Sequence, residues 1–329
     1  MTSETTMKAI VREKYGSPEV LELKDVDKPV VDEDSILVRV RAASINAYDW
    51  HMMRGSPYLV RLMAGVRKPK SSAMGVDVAG LVEAVGKNVT QFRPGDEVYG
   101  SRTGSLAEYL RGTERSVLVP KPMGLTFEQA AAVPMAASTA LQGLRDKGQL
   151  KPGQRVLING ASGGVGTFAV QIAKALGAHV TAVCSTRNVD QTRLLGADEV
   201  IDYTKEDFTR SGKRYDVILD VASSGSLSSR TRVLTPSGIL VGVGSVDGGG
   251  TASIAVGLLE TAVRSRLGSQ KIPFFLAKSN KEDLLVLTEL IDAGKVRPVV
   301  DRTYPLSETA EAIRYLETGH ARAKVVITV

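Results

Sequence analysis

The sequence predicts an α/β protein in two parts, a compact antiparallel β-barrel or sandwich followed by a doubly wound parallel sheet. Three observations carry this. Residues 7–120 are short alternating or β-rich runs broken by turn residues, whereas after Lys151-Pro152-Gly153 apolar strands alternate with helix-length stretches. At the head of the second region, Val156-Leu157-Ile158 runs into the Gly-rich string Asn159-Gly160-Ala161-Ser162-Gly163-Gly164-Val165-Gly166 and then into a helix-like stretch ending near Gly177. A chain of 329 residues also exceeds the size at which one hydrophobic core usually keeps growing.

In chain order, the first region offers strands at 8–12, 20–26, 36–43, 78–85, 97–99 and 106–110. Gly16-Ser17-Pro18, Lys28-Pro29, Arg93-Pro94-Gly95-Asp96 and Thr103-Gly104-Ser105 punctuate them. Residues 46–55 read as one short helix. Residues 126–148 turn helical and should bend or break at Pro134. The second region offers strands at 155–159, 179–184, 199–201, 216–220, 239–243 and 272–277, with helices at 165–176 and 189–195 and apolar-poor connectors between the later strands. Six apolar strands joined by crossovers argue for a parallel sheet. A last unit holds a helix at 281–293, with Ser279 or Asn280 as its cap, a second at 307–316 capped by Ser307, and a closing strand at 324–329.

Composition removes several function classes. Apolar residues make up 43% and charged residues 24%, which excludes a disordered chain. The net charge of +6 is interspersed, apart from residues 61–70 with Arg67-Lys68-Pro69-Lys70; lacking aromatic interleaving, that stretch reads as a solvated loop, and no nucleic-acid partner is expected. No apolar run approaches the ~18 residues of a membrane helix, and the opening Met1-Thr2-Ser3-Glu4-Thr5-Thr6 is unlike a signal peptide, so neither a membrane partner nor export is expected. Cys184 is the only cysteine, which rules out an intrachain disulfide and fits a cytoplasmic, reducing setting. With three scattered histidines, His51, His179 and His320, the chain also cannot assemble a four-cysteine or Cys/His/Cys zinc site. No metal site is expected.

The Gly-rich string carries the first chemistry. Gly160, Gly163 and Gly166 have three-residue spacing after a strand, and Val165, Ala169, Ile172, Ala173 and Leu176 then follow helical periodicity. Such a turn brings backbone N–H groups, here of Ser162, Gly163, Gly164, Val165 and Gly166, to a pyrophosphate at a helix N-terminus. An Asp or Glu about 20 residues on would bind a ribose 2′-hydroxyl. No acid occurs between Gly177 and Asp190, and the second strand ends Ser185-Thr186-Arg187, two hydroxyls and a guanidinium suited to a 2′-phosphate. NADPH is therefore expected over NADH.

At this point a resemblance is plain. Ile45-Asn46-Ala47-Tyr48-Asp49, Gly75-Val76-Asp77-Val78-Ala79-Gly80, Phe92-Arg93-Pro94-Gly95-Asp96-Glu97-Val98, Ala130-Ala131-Ala132-Val133-Pro134, the Gly-rich string and Leu195-Gly196-Ala197-Asp198 occur in order along nearly the whole chain. Together they resemble the zinc-independent quinone oxidoreductase branch of the medium-chain dehydrogenase/reductase superfamily. The resemblance implies a GroES-like β-barrel catalytic domain split by an inserted Rossmann sheet, with residues 1–124, 125–277 and 278–329 as barrel, Rossmann domain and return to the barrel, and a substrate cleft between the domains. It implies that subunits pair as a homodimer through the strand at 272–277. It implies further cofactor contacts at Thr139, Tyr203, Gly244, Ser245 and Lys324, the last being otherwise a surface lysine of the closing strand. Residues 244–250, rich in glycine, are either a mobile cover or a plain surface loop.

Departures from the family matter as well. Zinc-dependent relatives carry a cysteine near Asn46, a Gly-His-Glu where this chain has Gly75-Val76-Asp77, and a four-cysteine lobe missing here. Without that Lewis acid, the chemistry left is hydride delivery to an acceptor already activated by conjugation, a small apolar quinone or enone, whose oxygen needs positioned donors. The matching segment offers Asn46, Tyr48 and His51, with Asp49 and Arg54 read as a structural ion pair; His51 either donates to the acceptor or packs against the short helix. An enoyl-thioester reductase of the same superfamily is the nearby alternative. A non-catalytic, NADPH-binding or RNA-associated regulator is the alternative of another class.

Overall fold

A computed structural model describes residues 5–222, 226–243, 269–273 and 275–329. The chain divides into two compact units. One comprises Met1–Met135, Ser279–Asp292 and Pro298–Val329, and the other Ala136–Lys278 with Ala293–Arg297. The division falls past the expected residue 124, inside a helix that begins at Pro134.

The first unit is organised on β3 (Ser35–Ile45), eleven residues whose side chains are almost all buried. Strands β4 (Asp77–Val85), β5 (Glu97–Ser101) and β7 (Val117–Pro120) follow β3 in antiparallel succession. The other edge of β3 is shared: β6 (Tyr109–Thr113) pairs with residues 35–39, and the C-terminal β14 (Lys324–Thr328) pairs with residues 42–45. Strand β13 (Val300–Pro305) lies parallel to β14, and β1 (Thr6–Val11) with β2 (Glu22–Asp27) forms a separate hairpin. Val20, expected in a strand, instead closes a 3₁₀ turn over Pro18–Val20, since Pro18 presets the first φ and removes a donor. Ile36, Val38, Val40, Val78, Val82, Val98 and Leu118 form one apolar cluster; Ile45, Met53, Leu106, Ile313 and Val325 belong to another.

Short helices interrupt the strands along the chain. The expected short helix is α1 (Ala47–Arg54), stopped by Gly55. Behind it stands α2 (Leu59–Ala64), where the sequence suggested a loop. α3 (Phe127–Ala131) opens with a capping box between Thr126 and Gln129. Pro134 then begins α4 (Pro134–Gln142), so the proline separates two helices as expected and occupies the first turn, where its missing N–H costs nothing.

The second unit holds five parallel strands, β8 (Arg155–Asn159), β9 (His179–Cys184), β10 (Glu199–Asp202), β11 (Tyr215–Asp220) and β12 (Leu234–Gly242), in the order β10-β9-β8-β11-β12. The order reverses at β8, the place where sheets of this kind receive ligands. Helices α5 (Gly164–Ala175), α6 (Val189–Leu194) and α7 (Leu227–Arg232) follow three of the strands. The polar connector before β12 thus holds a helix, capped by Ser226, whose Oγ accepts from the Ser229 N–H at 3.1 Å.

The strand expected at 272–277 is absent among its described residues. A single parallel bridge joins Lys271 to Ile239, and pairing stops there, because Pro273 has no N–H to continue it. Two more helices, α8 (Lys281–Asp292) and α9 (Thr309–Glu317), belong to the last part of the chain. Asn280 caps α8 by accepting the Asp283 N–H at 2.7 Å. Ser307 caps nothing: it lies inside a 3₁₀ turn, Leu306–Glu308, that leads into α9.

Candidate cofactor and acceptor sites

In the second unit, β8 delivers the chain into Gly160, whose φ of +84° only glycine adopts cheaply. A Cβ on Gly166 would lie 2.1 Å from the Gly160 carbonyl oxygen, so the first turn of α5 packs directly under the loop. A Cβ on Gly163 would meet only that same oxygen, at 3.6 Å, which leaves its outer side open. Gly163 is the N-cap of α5 and supplies no side chain to the first-turn N–H groups. Those N–H groups, of Gly164, Val165 and Gly166, have no acceptor in their own helix and form the positive end of its dipole. Such a cradle fits the pyrophosphate of a dinucleotide.

The neighbouring strand ends are tied to this loop. Asn188 donates through Nδ2 to Ser162 Oγ at 3.0 Å and to Ser185 Oγ at 3.1 Å, linking the Gly-rich turn to the end of β9. Arg187 is exposed. Thr186 departs from its expected role, since its hydroxyl donates to Asp202 Oδ2 at 2.5 Å. Asp202, at the end of β10, also accepts from the Thr204 hydroxyl at 2.7 Å, and these hydroxyl bonds hold its carboxyl down at about 2. No acid follows the Gly-rich turn along β9 itself; the fold brings one from the next strand. It brings a cation too, with Lys205 Nζ 3.5 Å from Asp202.

Tyr203 is 61% exposed and lines a groove of about 510 Å³ together with Gly160, Phe208, Thr209 and Arg232. At its floor Asn159 donates to the buried Asp220 at 2.8 Å, and Arg230 pairs with that carboxylate. Thr139 is buried on α4. Gly244 and Ser245, with the rest of residues 244–250, lie outside the described residues. Cys184 is buried, and burial raises its thiol, which leaves it a packing residue.

In the first unit, Asn46 precedes α1 and its side chain is fully engaged on one side. Its Oδ1 accepts from Lys324 Nζ, its Nδ2 donates to Asp77 Oδ2 at 2.9 Å, and its backbone N–H donates to Asp49 Oδ2 at 2.7 Å. Asp77 further accepts from Ser44 at 3.2 Å, Ser101 at 3.3 Å and the Met135 N–H at 3.2 Å. Lys324 is therefore no surface lysine. It is 3% exposed, donates also to the Ile45 carbonyl at 3.2 Å and stands 3.8 Å from Asp77. Burial lowers the ammonium and raises Asp77. Asp49, the third buried charge, is pushed up to about 7, by burial first and by Asp77 in addition.

The ion pair expected between Asp49 and Arg54 does not form. Arg54 instead clamps Glu317 of α9 with two hydrogen bonds, while Asp49 turns inward to hold the start of its own helix. Along α1, Tyr48 is 44% exposed and its hydroxyl makes no hydrogen bond among the described residues; burial of its ring side and Asp49 raise it, so it stays protonated. His51 stacks on Trp50 with centroids 3.6 Å apart and places Nδ1 2.7 Å from the Ser56 carbonyl. A carbonyl partner assigns the proton to Nδ1, and burial lowers the ring's pKa, so Nε2 of the neutral ring is an acceptor. Among the described residues, no group of three or more His, Cys, Asp and Glu side chains is placed to hold a metal ion.

An antiparallel sheet that the C-terminal strand rejoins, together with a switch-point Gly-rich cradle, points to a dinucleotide-dependent dehydrogenase/reductase. Comparison with known proteins agrees. Residues 32–141 match a family model described as alcohol dehydrogenase GroES-like domain, and residues 195–327 one described as zinc-binding dehydrogenase. The chain is 37% identical to a mitochondrial NAD(P)H oxidoreductase, RTN4IP1, of Mus musculus, over 99% of this chain and 90% of that protein. It is 35% identical to a 2-methylene-furan-3-one reductase of Solanum lycopersicum, over 98% of this chain and 79% of that protein. The quinone oxidoreductase from Coxiella burnetii has the same fold, with a TM-score of 0.84, 32% identity and coverage of 98% and 99% of the two chains. The chain belongs to the medium-chain dehydrogenase/reductase superfamily, in its quinone-oxidoreductase-like branch, and is a nicotinamide-dependent oxidoreductase.

Proposed function

We propose that the protein is a metal-free, NADPH-dependent reductase of quinones or α,β-unsaturated carbonyls. The reading rests above all on Asn46. Zinc-dependent relatives carry a cysteine near this position, and here the Asn46 amide is taken up by Lys324 and Asp77. Val76 likewise stands where those relatives carry a histidine. The relatives, a furanone reductase and quinone or NAD(P)H oxidoreductases, point the same way.

In this reading the first turn of α5, with Ser162 and the backbone of Gly163, Gly164, Val165 and Gly166, holds the pyrophosphate. Arg187, helped by Ser185 and Lys205, receives the 2′-phosphate, while Asp202 keeps Thr186 in place rather than leaving its hydroxyl for the ligand. Tyr203 flanks the adenosine, and Thr139, Gly244, Ser245 and Lys324 complete the cofactor contacts that the resemblance implies. When bound, the nicotinamide supplies a hydride. Negative charge then grows on the acceptor oxygen, and Tyr48 offers the protonated hydroxyl that meets it. Asn46 has one further N–H to give, oriented by its two buried partners. His51, neutral and accepting at Nε2, shapes the site and donates only as an imidazolium. A homodimer and a cytoplasmic location belong to the same proposal, on the resemblance and on the lone buried cysteine.

A spectrophotometric screen of NADPH oxidation against quinones, enones and enoyl thioesters, beside NADP⁺ reduction by simple alcohols, tests this directly. Turnover with conjugated acceptors and none with alcohols is expected. Alcohol oxidation, or no turnover on any acceptor, would overturn it.

A further inference from the structure

Helix α2 is built the wrong way round for a helix that only packs on its own domain. Leu59, Leu62 and Met63 occupy i, i+3 and i+4, one face, and that face points to solvent: Leu62 is 59% and Met63 77% exposed, while Ala64 is the buried residue. Tyr58 and Val66 extend the apolar surface at either end. The segment is held firmly. The Tyr15 hydroxyl donates to the Gly65 carbonyl at 2.6 Å, and Arg61 lies over the Tyr15 ring while donating to the Gly55 carbonyl at 3.0 Å. Charge here is one-sided. No Asp or Glu occurs from Gly55 to Val76, yet Arg61, Arg67, Lys68 and Lys70 do, and the last three are exposed without an ion-pair partner among the described residues.

We infer that α2 and the basic turn after it form a peripheral docking surface for an anionic lipid bilayer. An apolar helix face flanked by Lys and Arg is what lies in a membrane interface, apolar side down, cations against the headgroups. Charge selects this occupant over a second copy of the chain, since two such patches repel. It is favoured over RNA because three aliphatic side chains on one face find nothing to bury against along a phosphate backbone. The surface adds a membrane partner that the sequence alone did not suggest. α2 packs against α1, the helix that carries Tyr48 and His51, but the docking itself does not depend on the proposed chemistry.

Co-sedimentation of the full chain with phosphatidylcholine vesicles, with and without phosphatidylglycerol, provides the test, with dinucleotide affinity as the control for folding. Binding is expected only with the anionic lipid and should weaken about fivefold for each cation removed in Lys68→Gln and Lys70→Gln. Leu62→Ser with Met63→Ser should abolish it at unchanged dinucleotide affinity. Equal partitioning to neutral and anionic vesicles, salt-sensitive RNA binding without vesicle binding, or a solution dimer that Leu62→Ser dissociates would each overturn the inference.

Discussion

Lys324 donates its buried ammonium to the side-chain carbonyl of Asn46, and that bond decides which way the Asn46 amide faces. The carbonyl is turned to the lysine and one N–H to Asp77, which leaves a single N–H for anything that approaches from outside. Lys324→Met should strand the Asp77 carboxylate without its cation and cost about 3–5 kcal/mol of stability, as removal of one partner of a buried pair does. Denaturant unfolding of Lys324→Met, and of the double variant with Asp77→Asn, checks this. The double variant should be the more stable of the two, and the reverse order would contradict the coupling.

Asp49 gives stability a pH dependence. A carboxyl whose folded pKa stands near 7, above its unfolded value, makes the folded chain the better proton binder. Its contribution is present in full below about pH 4 and is lost as pH rises through about 7. Asp49→Asn keeps an acceptor for the Asn46 N–H and carries no charge. Denaturation midpoints should therefore fall between about pH 5 and about pH 8 in the parent and fall less in the variant; parallel curves would show that Asp49 does not titrate there.

The glycines of the cradle make separable predictions. Gly166→Ala forces a Cβ to within 2.1 Å of backbone and should destabilise the second unit as well as abolish cofactor binding. Gly163→Ala meets nothing closer than 3.6 Å and should leave the thermal midpoint nearly unchanged while weakening the dinucleotide. Differential scanning fluorimetry with and without NADPH separates the two. A Gly163→Ala protein that binds NADPH normally would remove the phosphate from this turn.

Arg187→Ala should weaken NADPH by on the order of 10-fold to 100-fold, the loss of a charge-assisted contact, and NADH hardly at all. Lys205→Ala should show the same preference to a smaller extent. Titration of both dinucleotides into both variants checks this, and equal losses would place the arginine elsewhere.

Much of the second unit was legible because its signals are local. An apolar run, a spaced set of glycines and a 3.6-residue period lie within some twenty residues, and β8 and α5 formed where they were read. The acceptor region was legible only as far as α1. What orders it comes from afar: Lys324 lies 278 residues from Asn46, and Glu317 lies 263 from Arg54, so no spacing rule reaches them. Asp202 escaped for a related reason, because parallel pairing of β9 with β10 puts its carboxylate beside Thr186. In the other direction, an apolar run at 272–277 promised a strand that Pro273 does not allow.

In the proposed reaction, hydride reaches a conjugated acceptor while Tyr48 and Asn46, rather than a metal, meet the charge on oxygen. Steady-state NADPH oxidation with the best quinone or enone, measured on protein dialysed against chelator and again after added zinc, tests it most directly. The same kcat is expected in both states, with a fall of about a hundredfold in kcat for Tyr48→Phe in either. Activity lost to the chelator and restored by zinc would contradict it.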